Sequence, residues 1–293
     1  MKMTPACFAC LMRNALDVAR LGTPDETIQL KVLQRVMAWM ADMDSDSPPP
    51  LVAGFIQETV RELTGTEDPY GPVKEEYNVM ALELYPELAA LKDKAIDRFD
   101  AGVRLAVAGN IIDFGLASTL GRKKLMATIS HAMAARVKGR ISGLRKAVAG
   151  ADRILWIGDN AGEIVFDKLL LEEMDCARVI YGVRGAPVQN DATMADAVAV
   201  GLTSMVKVID SGAAIPGTLM AHCSKEFCDA YNRADLIISK GQGNFETLDH
   251  LDPRIFFLFK AKCPVVAACG GWNIGDVVVE GPKDRIHRPY QRV

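Results

Sequence analysis

At 293 residues, with 49% hydrophobic and 24% charged side chains, the chain carries enough apolar material for a sizeable core, and its composition excludes a disordered or collagen-like protein. A formal net charge of -3 leaves none of the dense basic surface that nucleic acid requires. Arg13, Asp17 and Arg20 interrupt the first apolar segment, so no signal-peptide core forms, and no apolar run approaches the ~20 residues of a membrane span. The expectation is a cytoplasmic protein with no membrane contact, whose seven cysteines are reduced thiols.

From Cys7 to about Gly109 the pattern is helical. Ile28, Val32, Leu33, Val36 and Met40 recur at three- and four-residue steps, as does the set Leu88, Leu91, Ala95, Phe99 and Val103. Asp44 to Pro50, with three successive prolines, is a loop between helices, and a second break falls at Asp68 to Pro72. From about Ala151 short apolar runs alternate with amphipathic stretches. The runs Ile154–Ile157, Val179–Tyr181, Val206–Ile209, Leu236–Ile238, Phe256–Phe259 and Val265–Ala267 read as buried strands of a mostly parallel sheet, with helices such as Ile164–Met174 and Met194–Leu202 between them. The fold class is α/β: a three-layer Rossmann-like sheet (110–293) behind an all-helical region (1–109), the boundary falling somewhere in 100–150. Ligands of such sheets bind beyond the carboxyl ends of the strands.

Four loops occupy those ends. Asp159 and Asn160 follow the first strand beside a glycine turn, and are hard oxygen ligands suited to a divalent cation, or equally a helix start in which Asn160 caps and Glu163 completes a capping box. Asp191 stands at the next handover from strand to helix, where it either converges on Asp159 or complements a helix dipole. Ser211 and Gly212 open a small-residue turn whose backbone N–H groups suit an anion. Lys240 adds a cation after the fourth strand, followed by Gly241, Gln242, Gly243 and Asn244. Acid, acid, small-residue turn and lysine on successive strand ends make the inventory of a metal-assisted phosphoryl site.

Four segments carry a resemblance: Ala108 to Gly115, Gly158 to Glu163, Asn190-Asp191, and Lys240 to Glu246. Their order and spacing resemble the damage-control phosphatases over essentially the whole chain, and Cys7-Phe8-Ala9-Cys10 is similar to the prokaryotic branch. The resemblance implies hydrolysis of small phosphorylated metabolites with Mn²⁺, Mg²⁺, Co²⁺ or Ni²⁺. It implies Asp159, Asn160 and Asp191 as metal ligands, Lys240 near the substrate phosphate, and Asn110 and Asp113 lining the same cleft. Ser211, Gly212 and Asn244 complete the expected substrate-binding set, and Asp159 and Lys240 the catalytic pair, with water or Asp159 itself as the nucleophile. Other branches follow the lysine and glycine with an acid and later an arginine, where this chain has Gln242 and Phe245-Glu246.

Cys7 and Cys10 alone are half a zinc site, and they open a helix rather than follow a strand, so they read as a structural or redox pair or as two buried thiols. Of four histidines only His222, after the small-residue loop, is placed to carry a proton. The rival function is a nucleotide or cofactor binder, or a metal-binding protein, that uses the same sheet without hydrolysis. It lacks a Gly-x-Gly-x-x-Gly turn after the first strand. Substrate identity and oligomeric state are left open.

Overall fold

The computed structural model describes residues 1–44, 46–110, 125–249 and 252–285. Five helices come first: α1 (Pro5–Gly22), α2 (Glu26–Asp42), α3 (Pro49–Thr64), α4 (Gly71–Asp93) and α5 (Arg98–Gly109). Their starts follow from local chemistry. Asp25 and Asp97 cap α2 and α5 by accepting free amide protons, and Pro49, which lacks one, opens α3. The α2 stripe is buried through Val32, Val36 and Met40, which join Ala15, Val18, Val52 and Ile56 in a small core closed by α1, α2 and α3. The second stripe is not one helix. The chain breaks after Asp93, and Asp97 starts a new helix, so Leu88 and Phe99 reach the same core from two elements.

The sheet has seven strands: β1 (Val137–Gly139), β2 (Ile154–Ile157), β3 (Val179–Val183), β4 (Lys207–Asp210), β5 (Leu236–Lys240), β6 (Ile255–Lys260) and β7 (Val277–Glu280). Their order is β1-β7-β6-β5-β2-β3-β4; β4, β3, β2, β5 and β6 run parallel, while β7 is antiparallel to β6 and pairs in parallel with β1. The remaining helices are α6 (residues 125–134), α7 (Ile141–Gly150), α8 (Glu163–Leu171), α9 (Met194–Ala199), α10 (Lys225–Arg233), α11 (Gln242–Leu248), α12 (Pro264–Gly270) and α13 (Pro282–Arg285). The Rossmann-like α/β reading therefore holds, with two corrections. Val265, Val266 and Ala267 lie in α12, because Pro264 sits in its first turn and the Cys263 sulfur caps the Val266 N–H at 3.4 Å. A three-residue apolar run cannot by itself tell strand from helix. The two strands β1 and β7 fall outside the expected set.

Alternation along the strands divides the core. Ile154, Trp156, Tyr181, Leu236 and Ile238 face α4, α5, α7 and α8, whereas Leu155, Ile157, Ile237 and Phe257 face α10, α11 and α12. Strand order reverses at β2, with β3 on one side and β5 on the other, and so opens a crevice at their carboxyl ends. Among the described residues no helix is long and apolar enough to cross a membrane.

Helix α5 lies so close to α8 that a Cβ at Gly102 would stand 3.2 Å from Leu170 Cα and 3.3 Å from the Leu169 carbonyl. Gly102→Val should therefore destabilise the protein by about 1–3 kcal/mol through overpacking. Urea unfolding measures this, and an unchanged midpoint would refute the close approach.

Candidate active site

At the end of β2 the chain turns through Gly158 to Gly162, then enters α8. A side chain at Gly158 would sit 2.7 Å from the Tyr181 hydroxyl, and Gly162 has a positive φ of 73°. Gly162, not Asn160, is the N-cap of α8, which removes the capping-box reading of Asn160 and Glu163. The loop after β3 is stitched to this turn by two backbone bonds, Ala192 N–H to the Asp159 carbonyl and Ala161 N–H to the Asn190 carbonyl, each 2.8 Å. An isolated bridge pairs Asn160 with Asp191, so two acidic loops from successive strand ends are brought together.

Asp159 is 8% exposed. Its Oδ2 accepts from Asn110 Nδ2 at 2.8 Å and Asn160 Nδ2 at 2.7 Å. The same two amides donate to Glu163 Oε2, at 2.7 and 2.9 Å. Gly241 presses its backbone on Asp159 from β5, where a Cβ would stand 2.0 Å from Oδ2. Burial, followed by the charges of Glu163 and Asp191, pushes the Asp159 carboxyl well above the usual carboxylate range. Asp191, 2% exposed, is also raised by burial, even though Arg184 Nε donates to its Oδ2 at 2.6 Å. Two carboxylates are thus held together with too little positive charge between them.

Lys240 is fully buried. Its Nζ donates to Glu163 Oε1 at 2.7 Å, to the Ala106 carbonyl at 2.9 Å and to Asp167, so all three protons are taken inside the protein. Asp167 also receives the Tyr181 hydroxyl at 2.6 Å and the Trp156 indole N–H at 3.2 Å. Burial lifts the Asp167 carboxyl to about 6 in spite of Lys240, whereas at Glu163 burial is outweighed by Lys240 and the two amides, and the carboxyl stays below its ordinary value. Asn244 is likewise consumed. It donates to the carbonyls of Lys240 and Gly158 and accepts from Arg184 and Thr218.

A cavity of about 470 Å³ opens in front of Asp159, Asn160 and Asp191. Its far wall comes from α1 and α3, including Cys7, Cys10, Leu11, Pro50 and Ala53. Lys262, in the loop after β6, stands on its rim, solvent-exposed and, among the described residues, without a carboxylate partner. Its charge acts on Asp159, drawing that carboxyl down against the stronger effects that raise it. Lys262 and Arg184 went unassigned in the sequence reading, and Glu163 entered it only as a capping-box partner. The strand-end rule applied to β6 would have found Lys262; Arg184, just past the third strand, and the ion-pair role of Glu163 carried no local signal.

Asn110 reaches this site, but its Oδ1 is buried with no hydrogen-bond partner among the described residues. Asp113 lies outside the described residues. Ser211 turns its hydroxyl to the Ala213 carbonyl, and Gly212 and His222 line a separate cavity of about 390 Å³ with Trp39 and Phe55. From that loop only Pro216 borders the main cleft.

The match to known proteins rests on nearly the whole chain: residues 3–278 fit the family described as the Damage-control phosphatase ARMT1-like domain. The chain belongs to this family. It is 34% identical to a damage-control phosphatase of Pyrococcus horikoshii, over 91% of this chain and 93% of the other, and 31% identical to a damage-control phosphatase of Archaeoglobus fulgidus, over 96% and 99%. The crystal structure of a DUF89 family protein from Pyrococcus horikoshii superposes with a TM-score of 0.88 at 32% identity, covering 96% of this chain and 99% of that one. Membership in the damage-control phosphatase family supports phosphatase-type activity at the level of the family.

The ion pairs of Lys240 have a consequence for stability. Lys240→Met leaves Glu163 and Asp167 buried without their counter-charge and should cost about 3–5 kcal/mol. A solvated surface lysine would change the unfolding free energy by no more than ~0.5 kcal/mol, so chemical denaturation separates the two.

Proposed function

We propose that the chain is a metal-dependent phosphatase of small phosphorylated metabolites, with its reaction centre at Asp159, Asn160 and Asp191. The observation that carries this reading is the pairing of two buried acidic loops whose outer oxygens are unspent. Hydrogen bonds to Asp159 and Asp191 all fall on Oδ2, which leaves Oδ1 of each without a donor among the described residues. Among the described residues no three His, Cys, Asp or Glu side chains converge to hold an ion unaided, so the set includes the amide oxygen of Asn160. Two carboxylates and an amide are hard oxygen donors that fit Mn²⁺, Mg²⁺, Co²⁺ or Ni²⁺ rather than a thiophilic ion. When bound, such a cation supplies Lewis-acid polarisation of a phosphoryl oxygen.

The chain's own groups do the rest. Asn110 and Asn160 hold the Asp159 carboxylate in one orientation. Lys240 keeps Glu163 ionised behind them, so that Glu163 orders the two amides instead of facing the cleft. Lys262, an unspent cation at the rim among the described residues, takes the phosphate-neutralising role expected of Lys240. The α1 and α3 wall narrows the cleft and limits water around the ester, which strengthens each charge interaction inside it.

Phosphate release from a panel of phosphomonoesters across the four cations tests the reading; no release with any cation refutes it. Asp159→Asn should lower turnover at least a hundredfold. The same change should leave the metal-free protein as stable as before or more so: the folded state raises this carboxyl's pKa, so at neutral pH its charge opposes folding. A variant of wild-type activity, or one markedly less stable without metal, counts against the assignment. Lys262→Ala should cost turnover about a hundredfold to a thousandfold, matching ~2.7–4 kcal/mol for a donor to developing phosphoryl charge. Steady-state kinetics at saturating cation would show it, and unchanged turnover would remove Lys262 from the site.

A further inference from the structure

Hydrolysis of an ester of a poorly acidic alcohol needs a proton at the departing oxygen. No histidine lines the described part of the cleft. Helix α11 begins directly behind Gly241, whose backbone rests on the Asp159 carboxylate. Gln242 and Glu246, four residues apart, share one face of that helix, and both line the cleft. Glu246 therefore stands one turn, about 6 Å along the axis, beyond the residue that follows the Asp159 contact. It is 8% exposed, and no ammonium or guanidinium side chain among the described residues forms an ion pair with its carboxyl. Gln242 Nε2 donates to its Oε1 at 2.8 Å.

The groups around it come from four places. Gln242 is on its own helix, Cys7 and Cys10 are on α1, Lys262 and Cys263 are in the β6–α12 loop, and the α-amino group of Met1 donates to the Glu246 carbonyl oxygen at 2.5 Å. Burial raises the Glu246 carboxyl to about 7, against the opposing pull of Gln242 and the Met1 ammonium. A carboxyl so poised carries a proton part of the time at neutral pH, as a general acid must. The neighbouring thiols of Cys10 and Cys263 are pushed up by burial and are poorer donors.

We propose that Glu246 is the general acid that protonates the leaving oxygen of the substrate, an inference that rests on the phosphatase reading above. As the bond from phosphorus to the ester oxygen breaks, its electron pair stays on that oxygen, and the Glu246 proton transfers to it to give a neutral alcohol. Water adds to phosphorus and releases one proton to solvent, and Glu246 regains one from solvent. The net change is one phosphomonoester and one water converted to one alcohol and one phosphate.

Glu246→Gln keeps the size and a hydrogen-bonding end but cannot donate this proton. The test measures kcat for wild type and variant at saturating Mn²⁺ over esters running from p-nitrophenyl phosphate to simple alkyl phosphates, from pH 5.5 to pH 9, roughly one and a half to two pH units either side of the proposed acid. The alkyl esters should lose about a hundredfold or more in the variant, with the loss shrinking steadily as the leaving alcohol becomes more acidic. The wild-type decline in kcat above about pH 7 should vanish in the variant. A uniform loss across the series, no loss, or a retained alkaline limb overturns the role of Glu246 while leaving the phosphatase reading intact. If wild type hydrolyses none of the esters, both fall. Should Glu246→Gln fail to fold, Glu246→Asp, with its shorter reach, must show the same leaving-group dependence.

Discussion

Lys240 sits where no lysine can sit alone. Fully enclosed between the sheet and α8, its ammonium is kept charged by Glu163 and Asp167, and the carbonyl of Ala106 takes the third proton. Burial alone would strip that proton, and the two carboxylates more than offset it. A network of this kind adds little net stability over an apolar replacement, but each member is costly to remove singly, and it fixes geometry. Because Glu163 is pinned by Lys240, its second oxygen is available to order Asn110 and Asn160, and those amides in turn orient Asp159. The chain of contacts joins α5, β2, α8 and β5 at the point where the sheet reverses its strand order.

In front of this neutralised layer lies a second one with its charge unresolved. Asp159 and Asp191 are tied together by backbone bonds that do not depend on their side chains, so the repulsion between them cannot be relieved by separation. The folded protein holds two mutually repelling carboxyl groups at the mouth of a cleft, an arrangement that stability alone would not select. Arg184 compensates Asp191 only in part, since its other donors brace the Gly217 carbonyl and Asn244. The contrast between a satisfied inner layer and an uncompensated outer one is the reason the proposed ligand site is drawn at the outer layer.

The helical region contributes by covering. Helices α1 and α3 close their own core and then present Cys7, Cys10, Leu11 and Ala53 across the cleft from Asp159. The thiols opening α1 thus stand on the wall of the candidate site, a position invisible in their spacing. With α11 packed between this wall and the sheet, the cleft has a polar pole at the strand ends and a softer, protonatable pole around Glu246.

Sequence by itself determined the class of fold and the row of strand ends. Hydrophobic period is a local property, and runs such as Ile154–Ile157 and Leu236–Ile238 are buried on both faces, which only a covered parallel sheet allows. It also put Asp159, Asn160 and Asp191 on loops of that row. Where a side chain points was decided by pairing. Lys240 shares its strand face with Leu236 and Ile238, and so turns toward α8 instead of the cleft, while Lys262 takes the rim. Val265 to Ala267 became helix through a proline and a cap, the Ser211 hydroxyl is spent on the Ala213 carbonyl, and Gly212 was carried to another cavity by the loop after β4. Spacing along a chain specifies which groups are offered; the register of distant strands and the helices laid over each face decide which are spent on one another and which remain for chemistry.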